Sequence, residues 1–188
     1  MAWTDDRTDG QVLTADQWDA VINEIKAIRS RIISLSAQSS IQPVTNPATL
    51  NIAETTTNKI NYIYGEFPEA AAILQWAVHM PADWDGGNIT PTFCWTTVVA
   101  GAAGKTVKWV LKAIRFANDA ALDTVPAAGT DATDTTLAEE DYHEIAGSAF
   151  TPSGTGNFIV FDLTRDYAND DLDGIARLIS IRIMYNVT

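Results

Sequence analysis

The stretch RLISIRIMYNV, residues 177–187, alternates apolar and polar side chains along most of its length. Successive side chains of a β-strand point to opposite sides of a sheet, so this alternation is typical of a strand with one face on a hydrophobic core. The inward-facing residues that it predicts are Ile179, Ile181, Ile183, Tyr185 and Val187. The same pattern recurs upstream, and it indicates a mainly β fold.

Three other segments, ILQWAVHM, TVKWVLK and FIVFDL, repeat the alternation. The inward-facing residues predicted from them are Leu74, Trp76, Val78, Met80, Val107, Trp109, Leu111, Ile159, Phe161 and Leu163. Turn-rich breaks such as DWDGGN and TPSGTGN separate roughly six to eight candidate strands, and no second helix is predicted among them. This organisation describes an antiparallel sandwich, and among sandwiches we expect a jelly roll.

The stretch QWDAVINEIKAIRSRIISL, which begins at Gln17, carries a helical period instead. Its bulky apolar residues follow a heptad spacing at Trp18, Val21, Ile25, Ile28, Ile32 and Leu35. A capping box formed by Thr14 and Gln17 marks the helix start. The absence of Gly and Pro beyond it predicts a helix over residues 14–37.

The heptad positions predict what this helix packs against. Glu24 and Arg29 occupy g and e positions, which meet between neighbouring parallel helices. Ile residues at heptad position a, with Ile and Leu at position d, favour coiled coils of three or more chains over two. We therefore expect a homotrimeric coiled coil built on the residues at positions a and d. The alternative is an amphipathic helix that packs on its own domain, which Ile22 and Ile33 outside the seam support.

The 188 residues suggest one sizeable domain with at most a small extra element. We expect an N-terminal attachment arm at residues 1–13, the coiled-coil helix at 14–37, a linker at 38–59 and the jelly-roll head at 60–188. The net charge of -12 repels phosphate backbones and anionic lipid, so we expect no nucleic-acid partner and no membrane insertion. Cys94 lies in an apolar run and is predicted to be a buried, inert thiol.

The sequence contains no G-x-S-x-G, H-E-x-x-H, Walker or C-x-x-C motif. We therefore expect no enzyme activity and no cofactor. The stretch NDDLDG places Asp171 and Asp173 before Gly174, as at the start of a calcium loop, but it lacks the twelfth-position Glu of an EF-hand. A polar loop is expected there, and a calcium site of another kind at the two aspartates is the alternative.

Two features are candidates for ligand contact. Trp84 lies in the Gly-rich loop DWDGGN, where it is either an exposed anchor for a ligand or a plug over the end of the sandwich. The stretch from Asp119 to Glu144 contains eight acids and no Lys or Arg. It is therefore either a solvated loop or an exposed contact loop at the tip of the head.

The phrases GQVLTADQWDAVINEI, MPADWDGGNIT, FTPSG and FDLTRD, with the closing DDLDGIARLISIRIMYNV, resemble small virion proteins of tailed bacteriophages. In that group a trimeric helical stem carries a jelly-roll head, and the resemblance covers nearly the whole chain. The residues that match best are expected to maintain the fold: Pro81, Trp84, Gly86, Gly87, Asp162 and Arg165. Arg165 is near in sequence to Asp162 and Asp166, with which a charge-assisted pair is expected.

The resemblance implies a non-enzymatic, homotrimeric capsid decoration protein, of the cement or head-fibre type, that binds the major capsid protein or another virion protein. Trp3 and the arm would attach it to the particle, and its location would be the virion, after assembly in the host cytoplasm. The alternative within this class is a tail-fibre or receptor-binding protein that recognises a host-surface glycan or protein. From another class, a cytosolic sugar-binding module or hydrolase is the remaining alternative.

Overall fold

A computed structural model describes residues 14–28 and 30–188 of the chain. Trp3 of the predicted arm, Arg29 of the predicted helix and the side chains of Ile25 and Ile28 lie outside this description. The described part contains helix α1 (Ala15–Ile28), a short 3-10 helix (Ala37–Ser39) and the strands β1 (Ser30–Ser36), β2 (Thr49–Glu54), β3 (Asn61–Phe67), β4 (Ile73–His79), β5 (Trp84–Thr97), β6 (Thr106–Phe116), β7 (Ala128–Thr135), β8 (His143–Ala146), β9 (Ser153–Gly154), β10 (Phe158–Arg165) and β11 (Ala176–Val187).

The strands form two sheets that enclose one core. The first sheet has the order β2-β3-β11-β5-β8, with β1 also paired to β11, and the second has the order β4-β10-β6-β7, with β9 paired to β6. Strands β3, β11, β5 and β8 thus face β4, β10, β6 and β7. Six of the ten steps from one strand to the next along the chain cross between the sheets. This is the strand order of a jelly roll, so the predicted mainly β jelly-roll sandwich is confirmed.

The core lies between the sheets, and its centre is aromatic. Trp76, Trp95 and Trp109 are almost fully buried, and the rings of Phe67 and Trp109 meet edge to face with centroids 5.2 Å apart. The inward-facing residues predicted for β4, β6 and β10 are on the core side, as the alternation predicts. Cys94 is buried, as expected from its apolar run.

Strand β11 holds the first sheet together because three strands pair with it. One edge pairs with β5; the other pairs with β3 over Ala176–Leu178 and with β1 over Ser180–Asn186. The register with β5 shifts between Leu178 and Ser180, so Ile179 is the extra residue of a bulge. Leu178 is fully buried and Ile179 is only partly buried, so the prediction that Ile179 faces inward is wrong.

The predicted helix over residues 14–37 is wrong beyond Ile28. Its start is confirmed: Thr14 N donates to Gln17 Oε1 at 2.9 Å, and Gln17 N donates to Thr14 Oγ1 at 3.3 Å. From Ser30 the chain is a strand, with Ile32 exposed and Leu35 buried opposite Ile181.

The physical reason is that the apolar residues of this segment fit the period of a strand as well as that of a helix. In SRIISLS, residues 30–36, Ile33 and Leu35 also alternate with serines, and β-branched Ile favours an extended chain. The open edge of β11 supplies a complete ladder of backbone hydrogen bonds, which decides the outcome. Ile32 and Leu35 therefore do not belong to a helical seam, and the trimeric stem predicted over residues 14–37 is not supported in its second half.

The segment predicted as a linker, residues 38–59, lies against the sandwich. Ile41 N donates to Gln75 O at 2.7 Å and Ala48 N donates to Ile73 O at 2.9 Å, so this segment covers the outer edge of β4. Strand β2 follows within the same segment. The sandwich thus extends N-terminally to Ser30 rather than beginning at residue 60. In the described ranges, no helix has the length and apolar content needed to cross a membrane.

Candidate functional site

Three aromatic side chains form a row across one end of the second sheet. Phe158 of β10 lies in register with His79 of β4 on one side and with Phe116 of β6 on the other. The ring centroids are 4.9 Å apart for His79 and Phe158 and 6.1 Å apart for Phe116 and Phe158. Because the next residue, Ile159, points into the core, Phe158 faces outward. The row therefore lies on the outer face of the sheet.

This row forms one wall of an open cleft of about 770 Å³. The start of the β6–β7 loop, including Asn118, Asp119 and Leu122, forms a second wall, and Gly156 and Asn157 close the cleft ahead of β10. A volume of this size lies within the range of roughly 300–1,000 Å³ that is usual for small-molecule sites. We call it the aromatic cleft.

Amide and carboxylate groups stand around the apolar wall of the aromatic cleft. Asn118 Nδ2 donates to Asp119 Oδ2 at 2.6 Å, and in the described part of the chain no other hydrogen bond holds either side chain. The side chain of Asn157 is exposed, while its carbonyl oxygen accepts a hydrogen bond from Met80 N at 2.8 Å. Asp119 has a φ of 64°, a left-handed conformation that non-glycine residues adopt at an energetic cost. The cleft thus presents several polar groups that are available to a ligand.

Arg115 fixes the backbone beneath the cleft. Its Nε donates to Gly156 O and its Nη1 donates to Gly86 O, each at 2.8 Å. Its guanidinium also lies 4.5 Å from the centre of the Trp84 ring, in cation–π contact. One side chain therefore connects the loop before β10, which lines the cleft, to the start of β5 in the other sheet.

Trp84, a candidate for ligand contact, is buried rather than exposed. Only 5% of its surface is accessible, and it belongs to the hydrophobic core at this end of the sandwich. This placement corresponds to the alternative in which the tryptophan plugs the end of the sandwich. Gly86 and Gly87 follow it in the first residues of β5, and Gly86 has a φ of 74°, which favours glycine.

The two aspartates considered for calcium lie apart from the cleft, in the loop between β10 and β11. Asp171 Oδ1 accepts hydrogen bonds from Thr106 N at 2.5 Å and Thr106 Oγ1 at 2.7 Å, and these bonds lower the pKa of its carboxyl group. Asp173 is exposed. Among the described residues, no group of three potential metal ligands is assembled. The structure thus gives Asp171 a role in holding the loop against β6.

The remaining site predictions concern the helix. Trp18 and Glu24 are exposed, and Val21 is partly buried. Helix α1 makes hardly any contact with the strands in the described part of the chain, so these residues do not belong to the core of the sandwich. Their role in trimerisation stays a prediction.

The aromatic cleft was missed by the sequence prediction, although one signal for it was present. In FIVFDL the inward set is Ile159, Phe161 and Leu163, so Phe158 must face outward. An outward aromatic residue preceded by Gly156 and Asn157 is a reasonable marker of a ligand site. The stretch from Asp119 to Glu144, predicted as one loop, contributes only its beginning to the cleft, because β7 and the start of β8 occupy much of it.

No protein-family model and no curated protein matches this sequence. Solved structures with a similar arrangement include the CBM36-1 domain of a multidomain xylanase from the hindgut metagenome of Trinervitermes trinervoides. The two sequences are 8% identical, the match covers 81% of this chain and 96% of that chain, and the TM-score is 0.46. A family 35 carbohydrate-binding module from Clostridium thermocellum has 14% identity, coverage of 81% and 97%, and a TM-score of 0.43. The CBM22-1 xylan-binding domain from Paenibacillus barcinonensis has 13% identity, coverage of 85% and 97%, and a TM-score of 0.46.

These comparisons overturn the main functional prediction. The named neighbours are carbohydrate-binding modules and not virion proteins, so the prediction of a homotrimeric capsid decoration protein is contradicted. The second half of the predicted stem is strand β1, so a trimeric coiled coil over residues 14–37 is not supported. At these identities no residue role is carried over from the neighbours.

Proposed function

We propose that this protein binds a carbohydrate in the aromatic cleft and catalyses no reaction there. The observation that carries the proposal is the row of His79, Phe158 and the nearly buried Phe116 beside the exposed polar side chains of Asn118, Asp119 and Asn157. Glycan recognition is the element of the receptor-binding alternative that this function shares.

The two kinds of groups in the cleft match the two kinds of surface on a sugar ring. The C–H face of a pyranose packs against an aromatic ring, which offers a large apolar area at little cost in conformational entropy. Hydroxyl groups at the ring edge both donate and accept hydrogen bonds, as do the side-chain amides of Asn118 and Asn157. A site with an apolar wall and a few fixed polar groups orients such a ligand.

The acid content of the cleft supports binding without hydrolysis. Glycosidases place two carboxyl groups roughly 5 to 9.5 Å apart on either side of the scissile bond. Among the described residues that line the cleft, Asp119 is the single carboxylate. One carboxylate accepts hydrogen bonds from two sugar hydroxyls, but it does not provide a paired acid and base.

Isothermal titration calorimetry with oligosaccharides derived from uncharged polysaccharides tests the proposal. Xylan, mannan and β-1,4-galactan fragments come first, since the names of the neighbouring structures include a xylan-binding domain, a mannanase and a galactotriose complex. We expect Phe158→Ala and Asn157→Ala to weaken binding about tenfold or more. Tyr167→Ala, which removes a 42% exposed ring in the turn after β10, is the matched control and should bind as the wild type does.

The proposed function is wrong if no saccharide binds, or if the cleft variants bind as tightly as Tyr167→Ala does. Release of reducing ends during prolonged incubation would overturn the non-enzymatic part alone. Thermal unfolding of each variant distinguishes a lost contact from a lost fold.

We further propose that α1 is a contact between copies of the chain. Trp18 and Ile22 are 51% and 42% exposed and pack on no core among the described residues, and an isolated helix of this length is marginal in water. Trp18, Val21, Ile25 and Ile28 keep the heptad spacing over the helix that remains. Sedimentation equilibrium of the wild type and of Trp18→Glu tests this proposal, and a monomeric wild type overturns it, including the predicted homotrimer.

A further inference from the structure

We infer that the first sheet carries a second saccharide site, a groove between β1 and β3 that takes an uncharged oligosaccharide. This inference goes beyond the aromatic cleft, because it rests on different residues in the other sheet. The groove has a volume of about 610 Å³ and lies among β1, β2, β3 and β11. We call it the serine groove.

The serine groove is a direct result of how β11 is paired. One edge of β11 holds β3 up to Leu178 and β1 from Ser180 onward, and a strand edge accepts one neighbour at each position. Residues 61–64 of β3 therefore pair with β2 alone within the described part of the chain. The bulge at Ile179 lies where the two partners change over, and Ile179 and Ser180 form the floor of the gap between them.

The walls carry polar side chains without protein partners. Ser34 on β1, Gln38 in the 3-10 helix and Ser180 on β11 make no side-chain hydrogen bond to any described residue. They offer two hydroxyls and one amide, each of which both donates and accepts. Outward side chains of an ordinary strand would be dispersed, but here they converge on one concavity of ligand size.

Tyr62 stands at the opposite wall and is held in place by Arg177. Arg177 Nη1 donates to the Tyr62 hydroxyl oxygen at 3.0 Å, and its guanidinium lies 4.4 Å from the centre of the Tyr64 ring. The rings of Tyr62 and Tyr64 are 5.6 Å apart. Because the Tyr62 hydroxyl accepts from Arg177, its own proton is free to be donated to a ligand. The partly exposed Tyr62 ring is thus an oriented surface beside the free hydroxyls and amide.

The lining determines the class of ligand. None of the described residues that line the serine groove is charged, in a chain whose net charge is -12. An anionic ligand would lose hydration there without gaining an ion pair, and the overall charge would repel it. Ile52, which is 71% exposed, and Ile179 add apolar contact beside the polar groups. Hydroxyls, amides, one aromatic ring and aliphatic carbons fit a neutral sugar chain.

Titration calorimetry and 15N-labelled NMR titration of the full chain with one uncharged oligosaccharide and its uronic-acid analogue test this inference. We expect two binding sites in the wild type and shifts of the amide signals of Ser34, Gln38 and Ser180 that remain in Phe158→Ala. In the Phe158→Ala background, Tyr62→Phe and Gln38→Ala should each lower the residual affinity about fivefold or more, and the uronate should bind more weakly. Tyr142→Ala, which removes an exposed tyrosine that does not line the groove, is the control.

The outcomes distinguish the two sites. Binding that disappears in Phe158→Ala, with no shift in the groove, overturns the serine groove and leaves the aromatic cleft. Binding that is lost in Tyr62→Phe but retained in Phe158→Ala supports the groove and overturns the cleft. Absence of any saccharide binding overturns both, and equal affinity for the uronate overturns the neutral class of ligand. Tyr62→Phe and Gln38→Ala keep the strand packing, so a failure to fold does not obscure the result.

Discussion

Arg165 and Asp170 form a two-pronged ion pair inside the sandwich. Arg165 Nη2 lies 2.7 Å from Asp170 Oδ1, Arg165 Nε lies 2.8 Å from Asp170 Oδ2, and the two side chains are 0% and 1% exposed. The same guanidinium donates to Phe67 O at 3.1 Å and to Leu172 O at 2.5 Å. The loop between β10 and β11 is thereby attached to the end of β3. The sequence suggested Asp162 or Asp166 as the partner, and the structure shows Asp170.

Removing the charge of Asp170 alone should strongly destabilise the folded chain. Asp170→Asn keeps the shape of the side chain but leaves the Arg165 charge buried without its counter-ion, which costs about 3–5 kcal/mol. Urea unfolding followed by tryptophan fluorescence measures the change in the free energy of unfolding. Asp173→Asn, an exposed carboxylate in the same loop, is the control and should change stability by less than about 0.5 kcal/mol. Equal effects of the two substitutions would show that the pair is not structural.

Acid should weaken the fold through Asp166. A hydrogen bond from the Asn169 amide and the nearby Lys108 ammonium lower the pKa of Asp166 below its ordinary value of 3.8. Because the pKa is lower in the folded than in the unfolded chain, this contribution is present above pH 3.8 and is lost as the pH falls through the folded-state pKa. We expect Asp166→Asn to lower the urea midpoint at neutral pH and to approach the wild type only as the pH falls below the folded-state pKa of Asp166. A constant difference at every pH would contradict this assignment.

The same carboxylate raises the pKa of Lys108 above 10.5, together with Asp131. Because the pKa of Lys108 is higher in the folded than in the unfolded chain, its positive charge stabilises the folded chain fully below pH 10.5. This stabilisation is lost only as the pH rises through the folded-state pKa. Lys108→Met should therefore lower stability at neutral pH without creating a new transition between neutral pH and about pH 9. Urea midpoints measured across that range check the prediction.

The sandwich was predictable from sequence wherever a strand has one buried face. Leu74, Trp109 and Phe161 each belong to a run in which bulky apolar residues recur at every second position, so their placement in the core follows from the period of two. Ile179 was assigned to the wrong side because a bulge adds one residue to the register, and alternation alone does not reveal the extra residue.

Ile32 and Leu35 show a second limit of prediction from sequence. Their spacing fits a heptad, and the short segment around them also fits a strand, so only the pairing with β11 decides between the two. The aromatic cleft was harder still to predict from the sequence. Phe158 and Asp119 are 39 residues apart, by subtraction of their positions, and they meet only because β6 and β10 are adjacent in the folded sheet.

Gly156 should be irreplaceable at the aromatic cleft. Its φ is 98°, and a Cβ at this position would overlap the carbonyl oxygen of Phe116. Gly101 has a φ of 76° with nothing near its Cβ position, so Gly101→Ala measures the backbone cost alone, about 1 kcal/mol. We expect Gly156→Ala to cost at least about 2 kcal/mol more, because the clash adds to that strain. Similar unfolding free energies for the two variants would show that the loop before β10 adapts freely.

Two truncations test whether the fold begins after the helix. Helix α1 hardly contacts the strands in the described part of the chain, so removal of residues 1–29 should change the free energy of unfolding by less than about 0.5 kcal/mol. Removal of residues 1–37 also deletes β1, which takes the buried Leu35 from the core and the Ser36 carbonyl from Trp76 Nε1, 2.9 Å away. A loss of about 3 kcal/mol or more is then expected from the cavity and the unpaired indole. If the shorter truncation costs as much as the longer one, α1 packs on the sandwich, and Trp18 and Ile22 are not available to a second chain.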